Sequence, residues 1–312
     1  MSTLVEKTKN LFTTKEIKEY DNLAGFLFIS PWLIGFIAFT IIPMILSLVV
    51  SFTSYDVIST PEWVGLDNYI EIFTADSTFW SSIKITFFYA FVSVPLRLAF
   101  ALFLAVLFNQ KRKMVGLYRT LFYIPSVIGG SVAVAVMWRQ LFGSSGALNS
   151  LLNAFFGMDI ARSWIRHPQS ALWTLIFLAI WQFGSPMLIF LAGLKQIPGS
   201  LYEAALIDGA NWWQKFFKIT IPMLSPVILF NLIMQIISGF MMFTQAYIIT
   251  SGGPFDQTLV YVLYLFRRAF SYYEMGYASA LAWILLVIVA IITVIIFKTA
   301  PHWVYYESKG EF

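Results

Sequence analysis

The sequence predicts an all-α integral membrane protein with six transmembrane helices and both termini cytoplasmic. Three observations carry that expectation. Of 312 residues, 59% are hydrophobic and only 12% are charged, where a soluble domain carries about 25% charged residues. Long runs lack charge altogether, and about 20 apolar residues suffice to cross a bilayer core. Lys and Arg concentrate in alternate loops, which sets orientation by the positive-inside rule. Helices are expected because in lipid each must satisfy its backbone polar groups internally. The chain has no cysteine, which excludes disulfides, thiolate metal sites and thiol nucleophiles. Its net charge of +4 reads as basic cytoplasmic flanks, with no nucleic-acid footprint.

Residues 1–23 form a polar cytoplasmic tail bearing Lys7, Lys9, Lys15 and Lys18. The tail is too long and polar for a signal peptide, and no A-x-A-like site follows. The first span, residues 24–52 with Pro31 and Pro43 inside, is therefore expected to stay as an anchor. The first outer loop carries Asp56, Glu62, Asp67, Glu71 and Asp76 and no basic residue. Its stretch 62–73 mixes aromatics with acids and suits an interfacial helix. The second span, 85–108, is interrupted only by Arg97, and the next loop holds Lys111, Arg112, Lys113 and Arg119. The third span is expected at 120–138 and the fourth at 168–194, separated by an outer loop with Arg139, Arg162 and Arg166. Pro222 and Pro226 start a fifth span near 225–250, and Gly252, Gly253 and Pro254 end it. Residues 257–266 are apolar but too short to cross, so they should pack under the outer surface, just ahead of Arg267 and Arg268. The sixth span covers 275–297, which makes residues 24–298 one transmembrane domain. A cytoplasmic tail, 299–312, follows.

The inner loop 195–222 is neither short nor merely basic. Pro198 and Gly199 break the incoming helix. Ser200 precedes Glu203 by three residues, the spacing of a capping box. Leu201, Ala204, Ala205 and Leu206 give the new helix an apolar side, Asp208 follows, and Gly209 stops it. Asn211 can cap a second short helix carrying Trp212, Trp213, Phe216 and Phe217. The expected product is a helix–turn–helix on the cytoplasmic face. Apolar surface of this kind marks either a docking site or a segment resting in lipid headgroups.

Glu203-Ala204-Ala205, then Gly209, then Ile219 and Ile221-Pro222 resemble the EAA loop of binding-protein-dependent ABC importer permeases, E-A-A-x3-G-x9-I-x-L-P. One position departs, with Ile221 where the pattern has Leu. The resemblance runs from about residue 24 to the C-terminus. Trp63-Val64-Gly65-Leu66-Asp67-Asn68-Tyr69 is similar to the first outer loop of sugar permeases. Thr250-Ser251-Gly252-Gly253-Pro254, Gly276-Tyr277-Ala278 and the ending Trp303-Val304-Tyr305-Tyr306-Glu307 resemble the maltose- and multiple-sugar-permease subunit of the MalF type. The resemblance implies a type I ABC importer permease fold, a multi-pass place in a bacterial or archaeal plasma membrane, and one half of a heterodimeric sugar pore. The implied partners are a second permease subunit, two copies of a cytoplasmic ABC ATPase, an extracytoplasmic sugar-binding protein and membrane lipid. The sequence contains no G-x-x-x-x-G-K-[ST] loop, so ATP and Mg are expected on the partner ATPase and no cofactor on this chain. Glu203, Ala204, Ala205, Asp208, Gly209, Ile219 and Pro222 are the implied coupling residues.

Aligned on Trp181, the family's sugar-facing positions fall on Ala179, Gln182, Phe183 and Pro186, with Ser126 and Gly130 in the third span and Gly239 and Met242 in the fifth. Gln182, Asn231, Gln235 and Gln245 are polar groups within spans that can bond a sugar or a neighbouring helix. Phe183 and Tyr247 can stack on one. Arg97 lies about 18 Å along the helix axis from Asn109, near mid-membrane, where a charge costs about 2.5–3.5 kcal/mol on insertion scales. No Asp or Glu lies in any span. Pairing with helix carbonyls, with an acid of the companion permease, or with an anionic substrate all remain open.

Other classes fit less well. An ion-coupled secondary sugar carrier would place acids near the midplane, and none is there. An enzyme is not expected: no HExxH or paired-carboxylate site occurs, His167 and His302 sit at span ends, and neither a catalytic nor a metal site is predicted. An ABC permease for another solute, such as glycerol phosphate, shares the loop motif.

Overall fold

The computed structural model describes residues 14–110, 113–157 and 162–306, with side chains from residue 25. Lys7, Lys9, Lys111, Arg112 and Glu307, used above, lie outside the described residues. Among the described residues, five helices are long and apolar enough to cross a bilayer, and a bent pair, counted as one span, brings the number to six. The first span joins α1 (Thr14–Phe36) to α2 (Ile42–Val50) through a π-helical turn, Ile37–Ile41. A two-stranded hairpin follows, with β1 (Thr53–Ser54) antiparallel to β2 (Glu62–Trp63), and then α3 (Asp67–Thr74). Asn68 fastens α3 to the hairpin by donating to the carbonyls of Ser51 and Thr53. The expected helix over 62–73 is thus shorter, because residues 62–63 pair as a strand and Gly65 turns the chain at φ +62°.

The second span, α4 (Ser77–Phe108), starts well before residue 85. Asp76 caps it by accepting from the backbone N–H groups of Thr78 and Phe79 at 2.9 and 3.0 Å. The third span is not the straight helix expected over 120–138. It is α5 (Val115–Ile128) and α6 (Val132–Leu141), bent by 97°. Gly129 and Gly130 supply the break, and the Ser131 hydroxyl caps α6 at Val134. A short helix, α7 (Ala147–Phe156), follows.

The fourth span is α8 (Pro168–Trp181) and α9 (Gly184–Gln196), continuous in direction but interrupted at Gln182 and Phe183. The loop helix α10 (Gly199–Ile207) leads to α11 (Trp212–Lys215), a π turn over Phe216–Thr220, and α12 (Ile221–Phe240). These last three form one spanning helix, Trp212–Phe240. The fifth span therefore begins at Trp212, and the expected second in-plane helix is its first turns. Helix continues through Pro222 because a wide turn precedes it: the Ile221 N–H reaches back five residues to the Phe216 carbonyl. The first span uses the same arrangement before Pro43, with Ile42 bonding Ile37. In both, the π turn shifts the hydrogen-bond register just ahead of a residue that has no N–H. At its other end the fifth helix stops at Phe240, short of 250, and the chain turns before a π segment at Ala246–Thr250.

The apolar stretch after 257 forms α13 (Tyr261–Phe266), with Tyr261, Leu263 and Tyr264 buried. Tyr261 receives the Thr86 hydroxyl as acceptor for its N–H, and its own hydroxyl donates to the Leu281 carbonyl. The last span, α14 (Met275–Trp303), begins where expected. α4 is the hub of the bundle, packed by α8, α9 and α12. No residue of Gly25–Val50 is buried.

Candidate functional sites: a loop knob and a mid-bundle cavity

The loop knob is built from two helix ends. α10 starts at Gly199 behind an extended Pro198 and carries no side-chain cap. Ser200 is then already inside the first turn, so the expected Ser200–Glu203 capping box does not form. Glu203 is left exposed, and no hydrogen bond or ion pair is found for it among the described residues. α10 closes through Gly209 at φ +72°. The Gly209 N–H bonds the Leu206 carbonyl and the Ala210 N–H the Ala205 carbonyl, the paired bonds of a Schellman turn that needs a left-handed residue. Asn211 then caps α11 as expected, in a reciprocal box with Gln214. Tyr202 and Thr220 share a hydroxyl hydrogen bond of 2.9 Å that ties α10 to the spanning helix.

The knob's outer surface is apolar. Leu206, Ile207, Trp212, Trp213 and Phe217 are exposed, Ile207 by 87%. Trp212 stacks on Phe216 and Trp213 on Phe217 along successive turns. Ala204 and Asp208 are also exposed, whereas Ala205, Ile219 and Pro222 are half-buried against the bundle.

The cavity lies between α4, α8 and α12 and has a volume of about 170 Å³. Four of the sequence-predicted positions line it: Ala179, Gln182, Gly239 and Met242. Arg97 lines it too. Its Nε donates to the Gln182 carbonyl at 3.0 Å and its Nη2 donates to the same oxygen. The Ser126 hydroxyl is a further donor to that oxygen, at 2.8 Å. One proline explains why this carbonyl is free. The residue four places on is Pro186, which has no N–H to complete the helical bond. The Gln182 side chain donates to the Gly129 carbonyl at 2.9 Å, joining the break in the fourth span to the break in the third. A Cβ on Gly129 would collide with that side chain.

Phe183 and Pro186 are buried but do not line the cavity; Phe183 packs edge-on against Phe100. Gly130 sits at the bend without touching it. Gln235 and Gln245 do line it, while Asn231 is fully buried with neither amide atom hydrogen-bonded. Tyr89 and Ser93 line it as well. They went unread in the sequence, although they stand eight and four residues before Arg97 and so share its helix face.

The far end, around α3, α13 and the start of α14, holds a buried charge cluster. Asp76 accepts from the hydroxyls of Tyr264 and Tyr277. Arg268 lies 3.6 Å from Asp76, bonds Glu274 at 2.7 Å and donates to the Tyr264 hydroxyl. Burial alone would raise the Asp76 carboxyl, but the two tyrosine hydroxyls, the Phe79 N–H and Arg268 together hold it below its ordinary value. Burial, then the bond to Asp76, pushes the Tyr264 hydroxyl up to about 12, so it remains a donor at neutral pH. A second, larger cavity of about 890 Å³ opens beside this end, lined by Arg139, Arg166, Thr250, Ser251 and Pro254 among others.

Comparison with known proteins agrees with this architecture. The chain is 62% identical over 293 residues to the probable ABC transporter permease protein YesP of Bacillus subtilis (strain 168), covering 93% of this chain and 94% of that protein. It is 32% identical over 311 residues to the arabinooligosaccharides transport system permease protein AraP of the same organism, covering 97% and 93%. Its fold matches a chain from the crystal structure of a bacterial alginate ABC transporter in complex with an alginate pentasaccharide-bound periplasmic protein. There the TM-score is 0.77 at 23% identity, covering 92% of this chain and 96% of that one. The family model described as "Binding-protein-dependent transport system inner membrane component" matches residues 77–300. The ion-coupled carrier reading falls with that match: the chain belongs to the inner-membrane permease family of binding-protein-dependent transport systems.

Proposed function

We propose that this chain is one half of a heterodimeric pore that imports sugars or oligosaccharides, driven by a separate ATPase. A companion permease forms the other half, and two copies of a cytoplasmic ATPase bind ATP and Mg. An extracytoplasmic binding protein loads the sugar at the far end. Both chain termini and the knob face the cytoplasm, in keeping with the basic residues of that loop. The sugar class rests on relatives such as the arabinooligosaccharide permease.

The observation that carries the reading is the knob: an apolar, aromatic surface left uncovered, rigidly joined to a spanning helix. Its α10 carries Glu203 outward, free of any capping duty, and Glu203 meets a basic residue of the ATPase. Movement of the knob passes into α12 through the unbroken helix from Trp212. Gln235, Gly239 and Met242 ride on the same element or at its end, roughly 40 Å away at 1.5 Å per residue. When the ATPase dimer closes, the knobs draw together and the cavity lining moves with them.

The test is co-purification in mild detergent of this chain with its companion permease and ATPase, comparing wild type with Glu203→Lys. Retention of the ATPase by wild type and its loss from the variant, with the two permeases still paired, is the expected result. A well-folded wild-type complex that holds no ATPase would overturn the docking role.

A further inference from the structure

We infer that the mid-bundle cavity recognises an anionic group on the transported saccharide, a carboxylate or phosphate ester, through Arg97. The inference rests on the sugar-import reading above and narrows its substrate class. Arg97 is the one charged side chain lining that cavity. Its Nε and Nη2 are held by the neutral Gln182 carbonyl, which orients the guanidinium without neutralising it. No hydrogen-bond acceptor for Nη1 is found among the described residues. The Nη1–Nη2 edge is therefore the donor pair suited to a bidentate oxyanion. A buried cation with no counter-ion is costly, and an arriving anion removes that cost.

The surroundings fit a sugar bearing such a group. Gln235 has a buried Oε1 with no partner, and Tyr89, Ser93, Ser238 and Gln245 add hydroxyl and amide groups to the same lining. The cavity is small beside the roughly 300–1,000 Å³ of sites for drug-sized ligands, so it suits one sugar unit.

The larger far-end cavity carries the same sign independently. Arg139 and Arg166 line it, and no carboxylate does. Residues 248–251 line that cavity and residues 241–245 line the inner one, so one chain segment edges both. In both linings the only charged side chains are arginines, a field that concentrates anions, whereas neutral sugars gain nothing from it.

The test uses the whole importer in proteoliposomes, with its binding protein outside and ATP supplied to the ATPase. Accumulation is measured for digalacturonate, its dimethyl ester, galactobiose and galactose 6-phosphate, in wild type, Arg97→Gln, Arg97→Lys and Gln245→Glu. Wild type is expected to prefer an acidic probe over the ester by at least tenfold, and whether the uronate or the phosphate wins identifies the group. Arg97→Gln should cut that uptake tenfold or more while the subunits still co-purify, with Arg97→Lys intermediate. Gln245→Glu, nearly isosteric, places a carboxylate in the same lining and should cut it as well; it decides the matter if Arg97→Gln fails to assemble. Preference for galactobiose, or acidic uptake within twofold of wild type in the deciding variant, overturns the inference and leaves sugar import standing. That result would assign Arg97 to an acid of the companion permease. If wild type accumulates none of the four probes, this inference is overturned; accumulation of a neutral arabinooligosaccharide in the same vesicles would leave sugar import standing, and its absence as well would sink that reading.

Discussion

Two single residues define the local geometry on which the functional reading depends. Gly209 holds φ +72° at the turn between α10 and α11, a conformation that costs a residue with a Cβ about 1–2 kcal/mol. Gly209→Val should therefore insert and pair normally yet lose at least tenfold in ATP-driven uptake. Uptake at the wild-type level would remove Gly209 from coupling. Pro186 acts through what it lacks. Pro186 stands in the first turn of α9, where a proline is tolerated, so replacing it relieves little, while the restored N–H would compete with Arg97 and Ser126 for the Gln182 carbonyl. Hydrogen bonds to charged groups contribute about 1.5–3 kcal/mol, so Pro186→Ala should leave the melting temperature of the purified complex unchanged or lower it. A clear rise would show that the break is not held by those tertiary bonds.

Among the elements, the far-end cluster fastens the start of α4 to α13 and α14. Asp76 caps one helix and accepts from tyrosines on the other two. Its folded carboxyl ionises below the ordinary value of 3.8. The stability it contributes is therefore present above that value and disappears as pH falls through the lowered one. Asp76→Asn should cost about 1–3 kcal/mol at neutral pH. In thermal melts its deficit against wild type should stay constant down to roughly pH 5 and shrink below it. A deficit that persists unchanged in acid would mean that the ionised form adds nothing.

For the molecule as a whole, burial follows a simple division. The bundle around α4 is packed except at its polar cavity, whereas the first span exposes Phe28 and Phe39 by 87% and 85%. Because the chain has no cysteine, single cysteines report this directly. Phe28→Cys and Phe39→Cys in the isolated chain should react with a membrane-soluble maleimide at least tenfold faster than Met187→Cys, which is fully buried. The number of spans was legible in the sequence because lipid demands long apolar runs whatever the tertiary contacts. So were the Asn211 cap and the Gly209 turn, which depend on neighbours within a few residues. The interruptions at Gln182 and after Phe240 were not, since hydropathy does not change there and the Gln182 carbonyl is satisfied by residues 56 and 85 positions away. Glycines at 129 and 130 signalled a turn that the apolar run masked. The capping box at Ser200 was misread by two positions, because the helix starts at Gly199 directly behind Pro198.

The wide turn at Phe216–Thr220 has a further consequence. It stores one spare residue between Trp212 and Trp213 on one side and Gln235 and Gly239 on the other, because five residues at π pitch sweep nearly the angle that four sweep at α pitch. Deleting Lys218 would close the turn to ordinary pitch and leave knob and pore lining in phase, but Pro222 would then meet the carbonyl four places back at a cost of about 3 kcal/mol. Such a chain should melt at a lower temperature, while the complex that still folds should hold its ATPase and move sugar, the spare residue being slack that lets a proline sit in a coupling rod.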